Sequence, residues 1–176
     1  MTLVAFVRGV NVGGHRRFRP SVLADAMKAH DVVNIGAAGT FVVRKPGSRA
    51  KLMAELRRQL PFDAAIALCA ERDLLHMESA NPFGSAAAKP NVVRFVSVLT
   101  KPGRLPGPLP VWMPNKQDWL VRIVAADGQF VFGEYRRHMK TIGYLGKLDA
   151  LFGAPATTRN WNTIRQIIAV LKIGDE

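Results

Sequence analysis

Leu3-Val4-Ala5-Phe6-Val7, running straight into Arg8-Gly9-Val10-Asn11-Val12-Gly13-Gly14, decides how this chain is to be read. The first five residues are all apolar, with β-branched and aromatic members, and read as a buried strand. The glycine-rich run ends it. Pro20-Ser21 then suits a helix start, with Val22, Leu23, Ala26 and Met27 on one face. Val32–Ala37 and Thr40–Val43 read as two strands around a small-residue turn at Ala38-Gly39. Ser48 can cap a second helix, where Leu52, Met53, Leu56 and Leu60 recur at helical spacing until Pro61. Ala64–Ala70 is a further strand and Glu71–Glu78 a short helix. The order strand, helix, two strands, helix, strand is that of the ferredoxin-like α/β plait. It predicts an antiparallel sheet within residues 1–70, with helices 20–29 and 49–60 on one face.

Beyond it, Asn81-Pro82-Phe83-Gly84 to Pro90 reads as loop and marks a domain boundary, giving a plait domain at 1–85 and a smaller α+β domain at 90–176. Val92–Leu99 is a strong strand. Lys101–Pro114 holds five prolines and reads as loop or polyproline-like chain without a PxxP pair. Trp119–Val124 and Gln129–Tyr135 flank Asp127-Gly128, a hairpin signal. Leu145, Leu148, Leu151 and Phe152 suggest a short helix stopped by Gly153. The last helix carries Ile164, Ile167, Ile168 and Leu171, and Thr163 with Gln166 has the spacing of a capping box.

The chain has 176 residues, 48% hydrophobic and 22% charged, enough to bury a sizeable core and unlike a disordered segment. Its net charge is +12, with +6 in each half. A diffuse basic surface attracts anions of any kind, nucleic acid and acidic lipid included; an arginine-rich composition without function is the simpler account of it. The single cysteine, Cys69, reads as a small buried hydrophobe. The apolar run at the start stops at Arg8, too short for a signal peptide or a span, so the expected location is cytoplasmic with no membrane partner.

Two segments stand out. Arg8–Arg17 sits between a strand and a helix, where glycine-rich loops present backbone N–H groups to anions. Gly9 and Gly14 have P-loop spacing, but His15-Arg16 replaces the Lys-Ser/Thr that would touch phosphate and magnesium. A turn flanked by solvated arginines is the competing reading. Thr157-Thr158-Arg159-Asn160-Trp161-Asn162-Thr163 lies at the mouth of the last helix and is richer in polar groups than a cap requires. No metal-ligand spacing links the four histidines, no nucleophile elbow occurs and no carboxylate pair stands out, so no metal, cofactor or catalytic group is assigned.

These segments carry a family resemblance. Arg8–Gly14 after a short apolar strand resembles the opening of domain-of-unknown-function family 1697, Asn81-Pro82-Phe83 resembles its mid-chain motif, and Thr157–Thr163 its C-terminal signature. The resemblance implies a bacterial protein with a ferredoxin-like N-terminal part and a smaller α+β C-terminal part, and it brings no reaction. Where the family usually has Ser-Gly-Asn, this chain has Ala38-Gly39-Thr40.

Three functions remain open from the sequence: binding or turnover of a phosphate-bearing or other anionic small molecule, nucleic-acid binding through a basic surface, and a protein-interaction module. For the first, the candidate ligand-binding residues are Arg8, Asn11, Gly13, Gly14, Arg159, Asn160 and Asn162. Arg8 and Arg159 would supply charge-assisted bonds, the asparagines would orient the anion, and the two segments are expected to lie together.

Overall fold

The computed structural model describes residues 1–11 and 17–174. Gly13 and Gly14 lie outside the described residues. The chain divides into two compact units, Met1–His76 with Gln166–Glu176, and Met77–Arg165.

In the first unit, β1 (Leu3–Val7), β2 (Val32–Ile35), β3 (Thr40–Val43) and β4 (Ile66–Ala70) form a sheet in the order β2-β3-β1-β4, antiparallel at every pairing. Successive side chains of a strand point to opposite faces. Leu3, Ala5 and Val7 of β1, Phe41 and Val43 of β3, and Ile66, Leu68 and Ala70 of β4 therefore share one face. That face packs against Leu23 and Met27 at α1 (Pro20–Ala26) and against Leu52, Leu56 and Leu60 at α2 (Arg49–Gln59). The opposite face, with Val4, Phe6, Val42 and Cys69, is equally buried, which accounts for the unbroken apolar run Leu3–Val7. Ser48 caps α2, its hydroxyl accepting from the Lys51 N–H at 3.2 Å. The first helix is shorter than expected and gives way to a 3₁₀ turn at Lys28–His30.

The second unit begins within α3 (Glu71–Ala80). Its sheet comprises β5 (Val92–Leu99), β6 (Val111–Met113), β7 (Val121–Asp127), β8 (Phe130–Arg136) and β9 (Ala156–Asn160), in the order β6-β7-β8-β5-β9 and antiparallel at every pairing. One face carries Phe95, Leu99, Val121, Ile123, Val131 and Ala156. It packs on Leu148 and Phe152 of α5 (Leu148–Phe152), with Tyr144 and Leu145 of α4 (Thr141–Leu145) alongside. The last helix, α6 (Trp161–Ile173), follows β9 without a loop.

Two strands depart from the sequence reading. β6 lies inside the proline-rich stretch expected to be loop, in a three-residue window free of proline. β9 occupies the segment expected to be a helix mouth. Thr157 and Thr158 are β-branched residues suited to a pleated surface, and their pairing with β5 outweighs the polar look of the segment. The fold is thus α+β, with two antiparallel sheets and several helices.

Candidate anion site in the second unit

The register across β7, β8 and β5 places Arg122, Glu134 and Arg94 directly opposite one another. All three lie on the face away from the α5 core, because their neighbours Ile123, Gly133 and Phe95 turn inward. Glu134 accepts from Arg122 Nε at 3.0 Å and Nη2 at 2.6 Å, and its other oxygen stands 3.7 Å from Arg94 Nε. One carboxylate thus serves two guanidinium groups, and the row keeps an excess positive charge. Arg94 Nη2 also donates to the Ala86 carbonyl at 2.6 Å, and its guanidinium lies over the Phe83 ring, 5.3 Å from the centroid.

A cleft of about 370 Å³ opens beside this row, lined by Arg94, Arg137, Asn160, Trp161, Asn162 and Arg165 among others. Phe83 meets Trp161 edge-on at 5.2 Å and Phe132 at 6.2 Å. Asn81-Pro82-Phe83 and Thr157–Thr163, far apart in the chain, therefore meet at one place. Among the described residues, the side chains of Arg137, Asn162 and Arg165 make no hydrogen bond or ion pair. Asn162 lies in the first turn of α6, where backbone N–H groups and the helix dipole already favour negative charge, Arg165 lies one turn further on and Arg137 follows β8.

The expected site residues fall into different roles. Asn160 is the N-cap of α6: its Oδ1 accepts from the Thr163 N–H at 2.8 Å and from the Thr163 hydroxyl at 3.0 Å. The cap is therefore Asn160, three residues before the Thr163–Gln166 box read from the sequence. Extending β9 through Asn160 starts the helix earlier. Asn160→Ala is expected to cost about 1 kcal/mol in urea unfolding. Arg159 is buried in β9, opposite Val96, with Nη1 donating to the Thr158 carbonyl at 2.9 Å. Burial lowers its pKa to about 10, which leaves it charged at neutral pH. Thr158 shares a 2.6 Å hydroxyl contact with Ser97. Arg159 does not line the cleft; Asn160 and Asn162 do.

In the first unit, Asn11 adopts a left-handed φ of 56° and spends its amide on backbone. Nδ2 donates to the carbonyls of Phe18 at 3.1 Å and Ala37 at 2.9 Å, and Oδ1 accepts from the Phe18 N–H at 3.0 Å. Arg8 follows β1, its N–H donating to the Ala65 carbonyl at 3.0 Å. Gly39, at φ 84°, packs so closely that a Cβ there would stand 2.8 Å from Val10 Cγ2. The opening motif and the Ala38-Gly39-Thr40 turn are thus neighbours. Arg94 and Arg165 were not foreseen: a single arginine on a strand and another on a helix carry no local motif, and only the tertiary fold collects them; Arg137 belongs to the basic run Arg136–Lys140, which the sequence offers as a solvated hairpin end or a phosphate contact.

Two antiparallel sheets with this order of elements define an α+β protein whose cleft is ringed by cations. The chain belongs to the family described as protein of unknown function (DUF1697), which matches residues 1–105. Its fold is similar to that of the conserved bacterial protein SP0830 from Streptococcus pneumoniae, with a TM-score of 0.65 and 14% identity over 97% of this chain and 98% of that one. No curated protein matches the sequence. Among the described residues, no helix is long and apolar enough to cross a membrane, and no group of three or more His, Cys, Asp or Glu is placed to hold a metal ion.

Proposed function

We propose that the second unit binds a small phosphate-bearing or otherwise anionic molecule in the cleft at the start of α6. One observation carries this reading: Arg137, Arg165 and Asn162 offer unpaired donors to a single concavity that Arg94 also lines. Donors of this type make charge-assisted bonds to phosphate or carboxylate. Trp161 is half-buried and provides an apolar wall for the uncharged part of a ligand. Asn162 belongs to the site as a donor, and Asn160 positions it by capping the helix. The nucleic-acid reading draws less support. Trp119 is 6% exposed and has Arg122 and Arg136 stacked against it at 4.4 and 4.1 Å, which takes it out of use as a platform for bases. The first unit fits a ferredoxin-like plait, a reading supported by its strand order and by α1 and α2 sharing one face. The domain assignment of 1–85 and 90–176 belongs to the same proposal.

Titration with inorganic phosphate and pyrophosphate at low salt, followed by calorimetry, tests the site. Arg137→Ala and Arg165→Ala should each weaken binding about tenfold, as expected for losing a hydrogen bond to a charged group. Their thermal unfolding should stay within about 0.5 kcal/mol of the parent, since both side chains are exposed. Absence of binding, or binding indifferent to both changes, would overturn the proposal.

A further inference from the structure

We infer that residues 137–147 form a contact surface for a bilayer carrying anionic lipid. Met139 and Ile142 are the most exposed large hydrophobic side chains among the described residues, at 88% and 78%. They share one side of a single winding. The Thr141 N–H donates to the His138 carbonyl at 3.0 Å, and Lys140 already has helical angles, φ −81° and ψ −11°, before α4 begins. Residues three apart in such a winding are neighbours on its surface. The other side is fastened down. Thr141 is buried, with its hydroxyl donating to the Arg136 carbonyl at 2.6 Å, and Tyr144 and Leu145 pack on the second unit's core. The fold therefore holds Met139 and Ile142 outward while the turn and helix that carry them are anchored.

Cations surround the two apolar tips. Arg137, Lys140 and Lys147 are exposed, and no Asp or Glu occurs between Arg136 and Lys147. Basic groups meeting anionic headgroups, with apolar side chains entering the acyl boundary, are what a peripheral membrane contact requires. Two apolar residues are few for a stable protein interface, which buries roughly 800 Å² on each partner. A second copy of the chain is disfavoured by its own net charge of +12. The contact is peripheral, so it stands alongside the absence of a spanning helix among the described residues.

Vesicle flotation with the intact chain tests this. The protein should float with phosphatidylcholine vesicles containing roughly one-third phosphatidylglycerol, and not with phosphatidylcholine alone. Binding should weaken as salt rises to about 0.15 M and beyond. Met139→Ser with Ile142→Ser should reduce binding about tenfold or more while thermal unfolding is unchanged. Lys140→Glu with Lys147→Glu should do the same. A Met139→Trp variant should show a blue-shifted emission on adding anionic vesicles. Three results would overturn the inference: no flotation at low salt; flotation undiminished by the serine changes, which is adsorption by net charge alone; or serine-sensitive self-association without flotation. Arg137, which also lines the cleft, stays intact in every variant, so this surface and the phosphate site fail or succeed separately.

Discussion

Gly133→Ala is expected to destabilise the second unit by about 3 kcal/mol or more, at the severe end of overpacking. Gly133 lies in β8 between Phe95 of β5 and Ile123 of β7. A Cβ there would stand 2.5 Å from Phe95 Cζ and 2.6 Å from the Arg122 carbonyl oxygen. The ring has little room to retreat, because Phe95 is fully buried against α5, and the carbonyl belongs to the neighbouring strand. The three tryptophans, Trp112, Trp119 and Trp161, all lie in the second unit, so urea unfolding followed by their fluorescence reports on it directly. A loss below about 1 kcal/mol would mean that β7 and β8 can part far more easily than their register implies.

Glu134→Ala should be the next most damaging change, at about 2–4 kcal/mol. Removing one partner of a buried pair leaves uncompensated charge behind, and here two guanidinium groups are left facing each other. The figure lies toward the lower end because the Arg122 and Arg94 side chains are 28% and 18% exposed and can recruit water. Glu134→Gln keeps an acceptor and should lose less. Unfolding in urea of both variants, together with the Arg122→Ala double-mutant cycle, measures the share of the pair. A neutral result for Glu134→Ala would show that stacking of Arg122 on Trp119, rather than its ion pair, fixes it in place.

The first unit was legible because its signals are local. Apolar runs, a proline at one helix start, Ser48 at the other and Gly39 in the hairpin each act within a few residues of themselves. The hairpin of β7 and β8 was legible for the same reason, although its register closes on Asp127 and Phe130 and moves the turn one residue beyond the Asp127-Gly128 reading. β9 was not legible. Thr157 and Arg159 are buried on one face of a strand whose partner, β5, lies some sixty residues away, and the intervening chain gives no hint of that pairing. The same distance hid the cleft. Asn160 and Asn162 were visible as unusual residues, but Asn160 was read beside the cap rather than as the cap. Arg94 and Arg165 acquire a meaning only once β5 and α6 are in place. Asn11 shows the converse: a polar residue in a glycine-rich loop invites a ligand role, and its amide is taken up by the backbone of residues 18 and 37.

The assignment of Gln166 onward to the first unit bears on how the chain is made. A ribosome synthesises residues 1–76 early, yet part of that unit leaves the exit tunnel only after all of Met77–Arg165 has passed. The second unit is continuous in sequence, whereas the first, whose sheet and two core helices lie within residues 3–70, receives its last segment only after the second has been made. Order of synthesis and order of completion are therefore reversed for the two units.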